Sequence, residues 1–259
     1  MIPLGAESPS FRTPWMTLFI LGGMFAVWIL VQGAGFDDYA LVSSVCNLGM
    51  VPGELTHMAP LGSAIPVTRT LNCVIDNDRV NYFTPIISLF LHGGWAHILG
   101  NALFLWVFGK DIEDAMGPGR FLLFYLICGL AAAAAHIAID PASPIPTVGA
   151  SGAISGVMGG YLLLYPQVRI RMLFIFVIFL KVIAIPAWLV LIWWFALQLL
   201  TGLPQVLTPS PEIAGSGGVA VWAHVGGFLA GVLLVRLFVR PELVARRQMA
   251  LRGLGIPAG

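Results

Sequence analysis

Apolar stretches long enough to cross a lipid bilayer recur along this whole chain, and that recurrence limits its fold more than any other feature. Clear ones run over about 15–32, 84–108, 121–139, 148–165 and 219–239. As a helix rising about 1.5 Å per residue, a stretch of this kind covers a hydrocarbon core of roughly 30 Å. The charge content agrees. Only 10% of the 259 residues are charged, against about 25% in a soluble domain, too few to clothe a water-facing surface of this size. The formal net charge is +1, and no Arg/Lys tract with interleaved aromatics occurs, so nucleic acid and acidic substrates are not indicated as partners. The partner that composition names is the bilayer itself.

The region 170–202 needs argument, because Lys181 and Pro186 interrupt it. The apolar piece before Lys181 has about eleven residues, roughly 16 Å of helix, too short to cross. The expectation is one crossing over about 182–200, preceded by a segment lying near the inner face. Six crossings then put Arg12, Lys110, Arg120, Arg169, Arg171, Arg236, Arg240, Arg246, Arg247 and Arg252 on one side, and only Arg69 and Arg79 on the other. The bias of basic residues toward the cytoplasm places both termini there. Arg12 is the only basic residue before Pro14, and the apolar run that follows is longer than a signal-peptide core, with no small-residue cleavage site at its end. It reads as a retained first crossing. The whole chain, 1–259, reads as one all-α membrane domain with a long outer loop over 33–83 and a basic tail over 240–259.

That outer loop is too long to lack structure of its own and is expected to hold short helices at the outer interface. The connection 201–218 is rich in Pro, Gly and Ser, which suggests a mobile segment. Cys46 and Cys73 both fall in the outer loop; a disulfide between them and a pair of free small residues are both compatible with the sequence. Cys128 lies mid-crossing and reads as packing. No His/Cys spacing of metal-site type occurs.

Polar residues inside crossings mark function by default. The second crossing carries His92 and then His97 and Asn101, four apart on one helix face. Two converging donors suit a developing oxyanion, or they bridge to neighbouring helices. The fourth opens with Gly149-Ala150-Ser151-Gly152, and Gly152, Gly156 and Gly159 form a small-residue stripe. The sixth carries His224, Gly227 and Gly231 on one face. Two glycine-faced helices pack closely enough to bring a serine hydroxyl within about 3 Å of an imidazole.

Crossings two, four and six all run from outside to inside, so His97, Asn101, Ser151 and His224 all fall in the outer half of the membrane. Serine needs an adjacent base, and histidine is the side chain matched to neutral pH. No Asp or Glu inside a crossing is placed to orient His224, Asp140 being the nearest, so the chemistry rests on a Ser-His dyad. His136 and His57 carry less weight.

His92…His97-x-x-x-Asn101, Gly149-Ala-Ser151-Gly152 and Ala223-His224-x-x-Gly227-x-x-x-Gly231 together resemble the rhomboid intramembrane proteases. Gly109-x-x-x-Glu113-x-x-x-Gly117 resembles the family's stretch between crossings two and three. The likeness covers about residues 84–235. It implies a six-helix core that cleaves transmembrane segments of other proteins, with no metal or cofactor. It implies Ser151 as nucleophile, His224 as base, and Asn101, His97 and the Ser151 N–H around the oxyanion. Gly227 gives Ser151 room, and crossing five with the 201–218 loop is similar to a lateral gate. Two positions depart from the pattern. Ser155 stands where many members carry an aromatic under the histidine, and Phe83-Thr84 stands where a Trp-Arg pair is frequent. The alternatives are a catalytically inactive rhomboid-like binder of membrane proteins, which predicts loss of Ser151 or His224, and a transporter, which predicts charges or paired broken helices in the crossings. Neither signature is present.

Overall fold

In a computed structural model, which describes residues 2–76, 79–176, 179–207 and 220–256, the chain is mostly helical. Helices α1 (Trp15–Leu30) and α2 (Asp38–Leu48) are followed by α3 (Thr84–Phe90), α4 (Trp95–Met116) and α5 (Pro118–Ile139). Then come α6 (Ser151–Leu164), α7 (Ala187–Leu207), α8 (Val221–Phe238) and α9 (Pro241–Gly253). Among the described residues α5, α7 and α8 are each long and apolar enough to cross a bilayer. Helices α1 and α6 are apolar but shorter.

The stretch 84–108, expected as one crossing, is two helical pieces, α3 and α4, bent by 94°. A helix broken at membrane depth must satisfy its freed backbone groups from elsewhere, and here it does. Gln32 accepts a hydrogen bond from the His92 N–H through Oε1 (2.8 Å) and donates to the His92 carbonyl through Nε2 (2.9 Å). The Gly93 N–H donates to His97 Nδ1 at 3.3 Å. His92 thus ties the loop end of α1 to the break through its backbone.

The lead-in to crossing five departs further from expectation. Residues 169–186 form a hairpin of β4 (Arg169–Phe176) and β5 (Phe179–Pro186), and strand β1 (Ile2–Ala6) pairs antiparallel with β4. The helix begins at Ala187, not 182, because Lys181 and Val182 pair with Phe174 and Leu173 across the hairpin. In the outer loop, β2 (Ala64–Pro66) pairs with β3 (Asn72–Val74), and Cys46 is disulfide-bonded to Cys73. The Pro/Gly/Ser-rich connection lies outside the described residues from 208 to 219.

Small residues bring α5, α6 and α8 together. A methyl group on Gly227 or Gly231 would strike the Gly152 or Gly156 carbonyl of α6, and one on Gly156 would strike Cys128 of α5. This is the close backbone approach that small residues permit between helices in lipid.

Away from Ser151 the same bundle is closed by acidic side chains and an arginine. Glu113 accepts hydrogen bonds from the N–H groups of Met16 (2.9 Å) and Thr17 (2.7 Å) and from the Thr17 hydroxyl (2.7 Å), capping α1. The basic tail is in part a helix with one buried arginine. Helix α9 folds back and buries Arg247 against Asp111 (2.9 Å) and Asp114 (2.6 Å). Asp114 also holds the Phe11 N–H, and Asp111 accepts from the Tyr161 hydroxyl.

Candidate active site

Ser151 is the first residue of α6, so its own N–H has no acceptor within the helix. The segment leading to it is clamped from two sides. The Gly149 N–H donates to the Ser88 carbonyl of α3 at 2.9 Å, and Thr147 makes a paired β-bridge with Met50 of the outer loop. Gly149 takes φ +121°, a conformation side chains rarely adopt, and a methyl group there would strike His97 Nε2 and press on Asn101 Nδ2. The backbone just before the serine therefore runs directly against these two side chains.

Because α8 packs on α6 at Gly227, the imidazole of His224 meets the serine. The Ser151 hydroxyl lies 2.8 Å from His224 Nε2, and His224 Nδ1 lies 2.9 Å from Gln198 Oε1; an acceptor at Nδ1 leaves Nε2 free to accept from the hydroxyl. Trp194, one turn before Gln198 on α7, lies 5.7 Å from the imidazole, centre to centre. Ser155, where an aromatic was missing, turns its hydroxyl back to the Ser151 carbonyl at 2.6 Å. The ring beside the histidine comes from α7 instead.

The donors facing the serine are free. His97 accepts at Nδ1, so its ring proton sits on Nε2, which faces Gly149. Asn101 Nδ2 is buried with no partner. Among the described residues it has no acceptor, and a buried amide left unpaired costs about 1–3 kcal/mol, so a water or a reacting group is its natural partner. Both ring nitrogens of His92 are also buried without partners, and its ring stands edge-on to His97 at 5.1 Å. A cavity of about 1060 Å³ opens over the serine, lined by His97, Gly149, Ser151 and Gly152, with His136 and Ala133 of α5 on its other side. His136 pairs with the Thr147 hydroxyl at 3.1 Å.

The structure thus brings together Ser151, His224, His97, Asn101 and Gly149, with Gly152, Gly227 and Gly231 in the seam beneath. Gln198 and Trp194 were missed. The signal was present: Gln198 is a polar residue inside an apolar stretch, and Trp194 precedes it by four, on the same face. Chemically, the arrangement offers a hydroxyl paired with a base and N–H donors beside an open cavity, features that suit acyl transfer.

The rhomboid domain family model matches residues 79–241. The chain is 44% identical over 92 residues to Rhomboid protease GluP of Bacillus subtilis, covering 36% of this chain and 17% of that protein. It is 29% identical over 171 residues to RHOMBOID-like protein 5 of Arabidopsis thaliana, covering 60% and 54%. It is 30% identical over 167 residues to Rhomboid-like protease 5 of Toxoplasma gondii, covering 61% and 17%. The matched regions span between 17% and 54% of these relatives' lengths.

Proposed function

The chain belongs to the rhomboid family of multi-pass membrane proteins, and from that premise we propose that it is an intramembrane serine endopeptidase with Ser151 as nucleophile and His224 as base. The observation that carries this reading is the 2.8 Å hydrogen bond between the Ser151 hydroxyl and His224 Nε2, at the edge of a cavity that His97 also lines. As Ser151 Oγ attacks a scissile carbonyl, His224 takes its proton and later returns it to the leaving amine. The oxyanion sits among Asn101 Nδ2, His97 Nε2 and the Ser151 N–H. These donors need no reorganisation, because among the described residues no acceptor holds them. No step needs a metal or cofactor.

Residues 1–259 form a single rhomboid-like domain in this reading, with six crossings supplied by α1, the bent α3–α4 pair, α5, α6, α7 and α8. The excess of basic residues at one side puts both termini in the cytoplasm of a cell membrane and Ser151 toward the outer face. The substrate is a transmembrane segment of another protein. It must unwind locally to expose a peptide bond, which favours small or helix-breaking residues in its outer half. Helix α7, which continues through residues 201–207 where a connection was expected, serves as the side entrance.

The test is proteolysis in reconstituted vesicles with a single-pass reporter carrying a Gly/Ala-rich outer half. Cleavage within that half by the wild type, and none by Ser151→Ala, is the expected result. Equal cleavage by both would assign the activity to another nucleophile.

A further inference from the structure

We infer that Gln198 is the positioning residue of His224, so that this protein carries the orienting group of its base on α7, the helix beside the site, and not on the helix of the nucleophile. The inference rests on the serine-protease reading above and deepens it.

For Nε2 to accept the Ser151 proton, the neutral imidazole must carry its own proton on Nδ1. An acceptor held at Nδ1 selects that form. Gln198 Oε1 is 2.9 Å from Nδ1, and among the described residues no carboxylate is hydrogen-bonded to the ring. A neutral amide suits this position. A carboxylate inside a crossing is expensive, whereas an amide costs little once it is hydrogen-bonded.

The register of α7 on α8 is fixed on both sides of Gln198. Trp194 lies against the imidazole and against Phe228 at 6.0 Å, and Phe195 stacks on Phe228 at 4.6 Å. One turn beyond Gln198, Gly202 packs on Val221 and Trp222. The same helix thus supplies the acceptor and the ring that bounds the histidine, which accounts for a functional site with Ser155 under the base. A lateral shift of α7 by about 1 Å takes the amide out of hydrogen-bond range, so the base is fully oriented only while α7 is seated on α8.

The experiment uses full-length protein in bilayers and compares wild type, Gln198→Leu, Gln198→Glu and Ser151→Ala. A fluorophosphonate probe reports attack by Ser151 without a protein substrate, and reporter cleavage gives kcat and KM. Wild type labels and Ser151→Ala does not. Gln198→Leu is expected to label about tenfold more slowly, the scale of one buried hydrogen bond, with kcat falling in proportion and KM unchanged. Gln198→Glu, which keeps an acceptor oxygen, recovers most of the loss. If wild type neither labels nor cleaves, the protease reading fails and this inference with it. If wild type labels and Gln198→Leu labels equally fast, only the role of Gln198 fails. Should the leucine variant misfold, histidine ring ¹⁵N spectra of the wild type decide, with His224 assigned by its loss in His224→Ala. A proton on Nδ1 is expected, and a proton on Nε2 overturns the inference.

Discussion

Among the described residues, the buried polar clusters around Arg247 and around Ser151 are built on different rules. Around Arg247 the acidic side chains are met mainly by the chain itself: Asp111 and Asp114 lie at ion-pair distance from the guanidinium, and Glu113 is filled by two backbone N–H groups and a hydroxyl. Around Ser151, Asn101 Nδ2 is buried without a partner and His97 Nε2 faces a cavity. Tyr161, ten residues or about 15 Å along α6 from Ser151, belongs to the first cluster. One helix therefore anchors both. The difference separates roles. A cluster satisfied by the chain itself holds the fold, whereas one that leaves donors unpaired is, in the function proposed above, organised around an oxyanion that forms only during the reaction.

Substitutions in the two clusters should accordingly move different observables. The largest effect is expected for Ser151→Ala. Loss of a paired nucleophile costs about 10⁶ in turnover, with the thermal midpoint unchanged because one hydroxyl leaves a helix terminus. A matching fall in stability would mean that the serine is part of the framework. Next comes Arg247→Met, which strands two carboxylates in a buried site and should destabilise by about 3–5 kcal/mol. The rate per folded molecule should stay as in the wild type. If that rate falls while unfolding is unaffected, the two clusters are coupled and the division of roles is wrong.

Asn101→Ala comes third and sharpens the contrast. Removing one of several oxyanion donors costs about 10²–10³ in rate, or about 2.7–4 kcal/mol of barrier. Stability should barely change, since the side chain deleted has no partner at its nitrogen. Single-turnover cleavage and thermal unfolding on the same sample check both halves of the statement. Unchanged turnover would return Asn101 to a packing role.

The contrast also explains what was legible in the sequence. Ser151, His224, His97 and Asn101 stand out because lipid makes every unmatched polar group conspicuous, and glycine stripes say which helices meet. The hairpin at 169–186 was harder to see, because its apolar tip reads like part of a crossing. Its base held a signal: Arg169 and Arg171 are exposed and alternate with buried Ile170 and Met172, a period of two. The bend between α3 and α4 was hidden because the amide that permits it, Gln32, lies 60 residues from His92. Gln198 is hard to single out because a carboxylate is the usual partner of a histidine, whereas one amide in an apolar stretch also reads as a helix-packing contact. Arg247 reads as one more basic tail residue; nothing local reveals that it returns to Asp111, 136 positions earlier in the chain (247 − 111).

The smallest effect is expected at Glu113, the cap of α1. Glu113→Gln preserves size and one acceptor oxygen but sets an NH₂ group against donors, either the Met16 N–H or the Thr17 N–H and hydroxyl. It also removes a negative charge from the positive end of a helix dipole. A lost cap costs about 1–2 kcal/mol, and the charge at a helix terminus is worth about 0.3–1 kcal/mol; the two overlap, so about 1–2 kcal/mol of destabilisation is the expectation. Hydrogen exchange should rise in the first turn of α1, over 15–18, while reporter cleavage by the folded protein stays unchanged. Protection that is lost instead near Ser151 would show that the cap reaches the catalytic end through α4, and that the matched cluster does more than hold the helices.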